Sequence, residues 1–282
     1  MKLNIINTEQ YEYWNEKTGP KWVQYDDAMN ERFSILTNEL FSRANIKNSE
    51  KILDIGCGGG ETTFQASKLL NKAGHVVGAD ISKTLLEHAK SKFSNIDTID
   101  FINCDVQNYQ FKKNYFNKVI SRFGVMFFEN PFYAFQNIYS SMQINGSLNF
   151  VCWTNIMDNE YFTEGMDIIT KYTKESFTEI TKEPGPFAFN DEAYIREILE
   201  YSGFKNVKVD KIYTSISTKD SLEDNVTILL GVGPRARILS EQNLSNDIML
   251  TIKNELMELT KKRKINKEIT YKACLNFVSA TK

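Results

Sequence analysis

The residues with the clearest chemical purpose lie in Lys51-Ile-Leu-Asp-Ile-Gly-Cys-Gly-Gly-Gly-Glu61. A short apolar run holds Asp54 near its end. Glycines follow at alternating positions, Gly56, Gly58 and Gly60, before a stretch that can be helical. Such a turn lets bare backbone approach a ligand closely and aims the N–H groups of a helix start at it. About twenty residues on, a second apolar run, His75-Val-Val-Gly-Ala-Asp80, also ends in an acid. That is the spacing at which a carboxylate takes the hydroxyls of a ribose. Together the two runs predict a nucleoside site on an open α/β sheet.

The turn discriminates among nucleosides. A dinucleotide fingerprint places its third glycine at the sixth position, but counted from Gly56 that position is Glu61. A carboxylate there repels a pyrophosphate seated on the helix N-terminus. No Lys-Ser or Lys-Thr follows the glycines, so the phosphate loop of the nucleoside triphosphatases is also missing. The turn suits a nucleoside that carries no phosphate. S-adenosylmethionine (SAM) is one, and Asp54 and Glu61 would tolerate its cationic sulfonium and ammonium.

At this point the chain resembles the class I SAM-dependent methyltransferases. Leu53-Asp-Ile-Gly-Cys-Gly-Gly-Gly60 looks like that family's first motif, and Gly78-Ala-Asp-Ile-Ser82 like its second, whose acid bonds the ribose hydroxyls. Phe101-Ile-Asn-Cys-Asp-Val106 resembles the third, whose Asp faces the adenine amino group. Ser121-Arg-Phe-Gly-Val-Met-Phe-Phe128 resembles the loop beneath the methionine part of the cofactor. More narrowly, the chain is similar to bacterial methyltransferases related to the ubiquinone/menaquinone biosynthesis enzymes. It shares with them a Trp14 to Trp22 segment, Pro184-Gly-Pro-Phe187 and Gly231-Val-Gly-Pro234. The resemblance covers essentially the whole chain.

It implies a Rossmann-like seven-stranded mixed sheet with helices on both faces, an antiparallel last strand and helical cap elements. Residues 1–45 would form an N-terminal helical cap. Residues 46–282 would form the methyltransferase domain, with insertions at about 155–190 and 219–265 making a substrate lid. The implied cofactor is SAM, leaving as S-adenosylhomocysteine (SAH). Its contacts would be Trp22, Asp54, Gly56, Cys57, Gly58, Gly60, Asp80, Ile81, Asp105, Val106, Ser121, Arg122 and Phe123.

The elements that must position these residues follow from patterning. Strands are expected at Lys51–Asp54, His75–Ala79, Thr98–Asn103, Lys118–Ser121 and Leu148–Trp153, with helices at Glu61–Leu70, Lys83–Phe93 and Pro131–Met142 between them. Alternation of this kind makes a parallel sheet with right-handed crossovers, whose ligands sit past the C-terminal strand ends. Asp54, Asp80, Asp105 and Ser121 all lie there. Upstream, Glu9–Trp22 reads as a helix broken at Gly19-Pro20, and Asp26–Ala44 carries apolar residues at helical spacing. Downstream, Asn155–Asn190 is a looser insertion and Asp191–Tyr201 reads as a helix. Ser221–Leu230 and Arg235–Lys262 also read as helices, and Lys205–Thr218 with Tyr271–Thr281 as a late strand pair.

At 282 residues, 41% apolar and 25% charged, the chain can hold one large domain with additions or at most two domains. No apolar run approaches the roughly 20 residues of a membrane span. The first residues lack the extended hydrophobic region of a signal peptide. A net charge of −2 leaves no electrostatic footprint for nucleic acid. The basic run Lys261–Lys264 reads as the close of a helix. The expected setting is the cytoplasm, with a small-molecule methyl acceptor as partner and neither nucleic acid nor membrane. Homo-oligomer formation is left open. Cys57, Cys104, Cys152 and Cys274 show no metal-binding spacing and read as reduced, buried thiols, so no metal is expected.

Methyl transfer from SAM is an in-line displacement on an already activated carbon. The protein has mainly to align and to exclude water. A base is needed only for a poorly ionised nucleophile. His75 starts a strand at the end away from the ligand and His88 sits mid-helix, so neither is placed as a base and no catalytic residue is assigned. The absence of an Asn/Asp-Pro-Pro-Tyr motif lowers amino-group methylation on nucleic-acid bases or glutamine. Arg122 could pair with a carboxylate of substrate or cofactor, or bridge to a helix. Trp14, Trp22, Trp153, Tyr13 and Phe187 could wall an apolar pocket and face the sulfonium. A protein amine methyltransferase and a non-catalytic SAM/SAH-binding regulator are the rival readings, while Glu61 disfavours an NAD-binding oxidoreductase. Asp80→Ala should cost the cofactor a charge-assisted contact of about 1.5–3 kcal/mol in calorimetric SAM binding. Unchanged affinity would remove the ribose assignment.

Overall fold

The computed structural model describes residues 5–173 and 182–282. Its centre is a sheet built from β1 (Lys51–Ile55), β2 (His75–Asp80), β3 (Ile99–Asn103), β4 (Phe116–Arg122), β5 (Met142–Trp153), β6 (Lys205–Thr218), β7 (Lys264–Ile265) and β8 (Glu268–Thr281). The order is β3-β2-β1-β4-β5-β8-β6, with β7 paired to β8. The first five strands are parallel and β8 runs antiparallel to both β5 and β6.

β1 and β2 are buried along nearly their whole length, as a parallel strand covered on both faces must be. The expected α/β sheet is therefore present, but with eight strands rather than seven. The extra one, β7, forms a tight hairpin with β8. Its two-residue turn, Asn266-Lys267, takes the positive φ values of 50° and 72° that such a turn requires. The basic run Lys261–Lys264 is accordingly split between helix end and hairpin, and Arg263 leaves it to pair with Glu160 and Glu164.

The helices are α1 (Thr8–Glu12), α2 (Gly19–Gln24), α3 (Asp26–Arg32), α4 (Ser34–Ala44), α5 (Glu61–Ser67), α6 (Lys83–Lys92), α7 (Pro131–Ser141), α8 (Glu160–Thr163), α9 (Met166–Tyr172), α10 (Glu192–Tyr201), α11 (Leu222–Gly231), α12 (Pro234–Ser240) and α13 (Asn246–Lys261). Several begin where a side chain satisfies an orphan amide. Ser82 accepts from Leu85 N, Asn130 from Tyr133 N, Ser221 from Asp224 N and Ser245 from Ile248 N.

The cap for α13 corrects one expectation. Arg235–Lys262 is not a single helix: α12 ends at Ser240, and Ser245 caps the start of α13. Pro20 likewise sits in the first turn of α2 instead of ending a helix, since its missing N–H is free of duty there. Between α1 and α2, Tyr13–Lys17 forms a π-turn. The looser insertion after β5 includes residues 174–181, which lie outside the described residues. The rest of it holds α8 and α9. With α11, α12 and α13, α9 shares a small core of its own around Ile169, Val226, Ile252 and Leu256.

The main core lies on the sheet. Phe135 of α7 is fully buried against Phe150, Phe189, Phe204 and Phe128. Phe135→Ala should lower stability by about 3–5 kcal/mol, because the ring leaves a void that these neighbours can only partly fill. Urea unfolding followed by circular dichroism measures it.

Candidate functional site

The cradle forms where β1 and β4 end. Gly56, Gly58 and Gly60 have φ values of 65°, 55° and 85°, a region that favours glycine. At Gly56 the demand is also steric, since a Cβ would stand 2.5 Å from Gly124 Cα. Ser121 fastens this approach: its Oγ donates to Ile55 O at 2.7 Å and accepts from Gly124 N at 3.1 Å. The turn is tied to β2 as well. Gly56 N donates to Ala79 O at 2.8 Å, and Gly58 N to Asp80 Oδ2 at 2.8 Å. A Cβ at Gly58 would meet no atom within 4 Å, so this backbone is bare toward the cavity.

That cavity encloses about 1480 Å³ counting its open mouth. Of the residues expected to hold the cofactor, Trp22, Gly56, Cys57, Gly58, Asp80, Ile81, Asp105, Val106, Arg122 and Phe123 line it. Asp54, Gly60 and Ser121 are not among its lining residues. Asp54 is fully buried behind the turn, where Oδ2 accepts from Thr62 and Thr63 Oγ1 at 2.6 and 2.7 Å and Oδ1 has no partner. It orders the start of α5. Gly60 caps that helix because a Cβ there would strike Phe101 and Ala89. Ser121 is the brace just described.

Asp105 faces the cavity, and its carboxylate is also engaged within the chain. Oδ2 accepts from Ile6 N and Asn7 N at 3.1 and 3.0 Å, and Oδ1 from Gln107 N at 3.0 Å. The acid expected to read the adenine amine also anchors the segment ahead of α1. That segment also pins Asn7 Nδ2 to Phe127 O and places Gln10 and Trp14 on the cavity wall.

Of the aromatic residues proposed as walls, Trp14, Trp22 and Trp153 line the cavity, whereas Tyr13 and Phe187 do not. Patterning alone missed most of the far wall. Met29, Tyr161, Phe162 and Leu229 come from helices of the cap, Phe33 and Val232 from the ends of such helices, and all read locally as ordinary core positions. Phe123 stacks flat on Trp153 at 4.8 Å, and Tyr161 stacks on its other side at 6.0 Å. Phe123 holds φ at 69°, a conformation that costs a bulky residue free energy and that recurs at functional sites.

Neither histidine lines the cavity. His75 bonds Asp100, and His88 bonds Asp26. Cys152 is buried in the sheet, with its Sγ against Phe189 O, and burial pushes its thiol up. Burial raises the Cys57 thiol as well. Neither sulfur is poised as a nucleophile. Among the described residues no group of His, Cys, Asp and Glu could hold a metal ion. No described helix is long and apolar enough to cross a membrane.

Asp26, Glu61, Asp80, Asp105 and Arg122 gather at the glycine-turn end, whereas the buried Arg235 lines the cavity at the cap end, donating to the carbonyls of Leu229, Phe162, Glu164 and Tyr161. Burial pushes the Asp80 and Asp54 carboxyls up to about 6, while hydrogen bonds from Ser82 and Gly58 N–H (to Asp80) and from Thr62 and Thr63 (to Asp54) oppose the rise. Burial lowers Arg122. The bare Gly58 backbone and the acids at Asp80 and Glu61 suit a nucleoside with a cationic end and no phosphate.

A raised carboxyl is protonated in the folded chain while still ionised in the unfolded one. The stability Asp54 and Asp80 contribute is therefore present at low pH and is lost as pH rises from about 4 to about 6. Ribose hydroxyls donate best to ionised Asp80. SAH affinity should accordingly hold steady above neutrality and weaken as pH falls through about 6. In Asp80→Asn calorimetric binding should be weaker and flatter with pH.

Residues 52–146 match a family model described as a methyltransferase domain. Over 216 residues the chain is 24% identical to a demethylmenaquinone methyltransferase of Staphylococcus saprophyticus, covering 73% of this chain and 82% of that one. A ubiquinone/menaquinone biosynthesis C-methyltransferase of Wigglesworthia glossinidia brevipalpis is 32% identical over 153 residues, 51% of this chain and 56% of its own. Among solved structures, the YcgJ protein of Bacillus subtilis shares the fold with a TM-score of 0.57 at 14% identity, over 87% of this chain and 97% of that one. Phosphoethanolamine N-methyltransferase 2 of Haemonchus contortus gives 0.53 at 18% identity over 88% of this chain. This chain covers 52%, about half, of that enzyme's length. With the glycine cradle and Asp80 at their strand ends, these matches support a SAM-dependent methyltransferase with its methyltransferase domain at residues 52–146, similar to the quinone-biosynthesis methyltransferases.

Proposed function

We propose that the methyl group passes to a small, flat, apolar acceptor, in keeping with the quinone substrates named for the relatives. The observation that carries this reading is the division of the cavity. Its acids lie at the glycine-turn end, while the other wall is the stack Phe123, Trp153 and Tyr161 with Phe33 at its edge. A lysine side chain seeking a methyl group would favour an acidic channel, and a planar apolar ring favours this slot.

When bound, SAM supplies a methyl on a sulfonium leaving group. The residues then have to fix the sulfur at the glycine turn, present one face of the acceptor to the methyl and keep water out. The aromatic wall does the last two, and its π faces also favour the sulfonium cation. Residues 5–45 and the helices α8, α9, α11, α12 and α13 serve as the lid over this slot, with Leu229 and Val232 reaching into it.

Labelled SAM should therefore transfer its label to phenols, quinols or enols with apolar substituents and not to a denatured protein pool. Val232→Trp, which fills the slot, should raise the acceptor KM about tenfold or more and leave SAH affinity unchanged. Label found only in protein would establish the side-chain amine reading. SAH binding without turnover on any acceptor pool would establish a regulatory binder.

A further inference from the structure

The cap end of the cavity holds a charge that the aromatic wall does not explain. Arg235, in the first turn of α12, lines the cavity with only 3% of its surface exposed. A guanidinium carries five N–H groups. Nη1 donates to Phe162 O and Glu164 O at 3.0 and 3.1 Å, Nη2 to Tyr161 O at 2.7 Å and Nε to Leu229 O at 3.4 Å. Four donors therefore meet carbonyls, and the second N–H of Nη2 has no acceptor among the described residues. Tyr161, Phe162 and Leu229 give their carbonyls to Arg235 and also line the slot, so the guanidinium belongs to the slot wall.

Carbonyls satisfy donors without neutralising a charge. Among the described residues no carboxylate lies within ion-pair distance of Arg235. Glu164 offers it a carbonyl only, since its carboxylate is held by Arg263 at 2.6 Å. Arg32 brings a second guanidinium into the same field. It is 1% exposed and meets Asp220 at 2.5 Å through Nη2, while its Nε and Nη1 have no partner. Burial lowers Arg235, and repulsion from Arg32 adds to the effect. A buried cation without a counter-ion is costly. Joining α8 to the end of α11 accounts for four donors of Arg235, but leaves its charge and its fifth N–H without account.

We propose that Arg235 forms an oxyanion subsite of the acceptor slot: the acceptor binds as its phenolate or enolate, the ionised oxygen accepting from the free Nη2 N–H. The inference rests on the small, flat, apolar acceptor proposed above. It answers the lack of a base, because neither histidine lines the cavity and burial raises both cavity thiols, Cys57 and Cys104. The acceptor hydroxyl gives its proton to water on entry, and the guanidinium holds the charge that remains. In the transfer the acceptor's electron pair forms the bond to the methyl carbon, the carbon–sulfur bond breaks and sulfur keeps its pair. An anion and a sulfonium become two neutral products, so Arg235 loosens its hold as the methyl arrives. A flat ring without an acidic hydroxyl would leave Arg235 unmet.

The test uses 4-nitrophenol, whose anion is yellow and whose neutral form is not, and 4-nitroanisole, its methyl ether, which cannot ionise. Each is titrated into the intact chain saturated with SAH, at a pH below the free phenol's own pKa. Nitrophenol should bind about tenfold or more tightly than nitroanisole, and the yellow band should grow on binding. Arg235→Gln should erase both the preference and the band and leave nitroanisole and SAH within about twofold. Arg235→Lys keeps the charge and should keep part of the band. Val232→Trp fills the slot and keeps the guanidinium; it should remove the band, which locates the anion whether or not Arg235→Gln folds. Nitrophenol bound by wild-type protein in its neutral form overturns the subsite, as does a band that persists in Val232→Trp or in folded Arg235→Gln. Equal weakening of both probes in Arg235→Gln also overturns it, since a purely structural arginine would act that way. Wild-type protein that binds both probes equally overturns the subsite and leaves the apolar slot standing. Wild-type protein that binds neither overturns the acceptor reading beneath it.

Discussion

The ends of β1 and β4 touch backbone to backbone. Gly56 and Gly124 lie so close that a Cβ on Gly124 would stand 2.4 Å from Ile55 O and 2.7 Å from Gly56 Cα. Ser121 Oγ bonds both sides of the contact. This approach closes the floor of the cavity and turns the chain after β1 upward, so that Gly58 faces the open space. It also turns the chain after β4, which sets Arg122 and Phe123 on the same rim. A side chain at either glycine would part the strands and move both ends of the site. The methyl-bearing sulfur and its acceptor have to meet within a fraction of an ångström of the right line, so a floor made of main chain, with no rotamers to sample, is a sound foundation.

Above that floor the site is divided by charge. The acids and Arg122 are drawn to one end by the strand tips and by α3, and the stack at the other end joins Phe123 and Trp153, from the ends of β4 and β5, to Tyr161 of α8. Low polarity at the far wall strengthens every electrostatic contact at the near one. The two halves depend on each other, because rings that exclude water also make the buried charges more demanding of partners. The segment before α1 contributes to this order, since its amides neutralise part of Asp105.

The parallel half of the sheet was legible from sequence because β1 and β2 are unbroken apolar runs with an acid at or near the end of each, a pattern set by local chemistry. The cradle was legible for the same reason. The role of Asp54 was not, because a carboxylate beside a glycine turn reads alike whether it faces a ligand or, as here, the hydroxyls of Thr62 and Thr63 eight and nine residues on, in the first turn of α5. The second duty of Asp105, holding Ile6 and Asn7 about a hundred residues away in sequence, has no local signal. Asp26 and Asn30 lie four apart on an amphipathic helix, and that spacing is equally good for a solvated face. Only tertiary packing puts them on the cavity wall. The break before α13 escaped notice because a serine cap competes with helix continuation through one side-chain hydrogen bond, which periodicity does not register.

β8 lies between β5 and β6, and this has a consequence for how the chain comes off the ribosome. β6 spans Lys205–Thr218, but the strand that pairs it to the sheet begins only at Glu268. Until β8 emerges, β6 has no ladder and β5 has an open edge, and closing them joins residues far apart in sequence, a slow step. A long unpaired strand invites pairing with another copy. Lys205, Lys208 and Lys211, with Asp210, place charges along β6, so nascent chains waiting for their last strand repel one another.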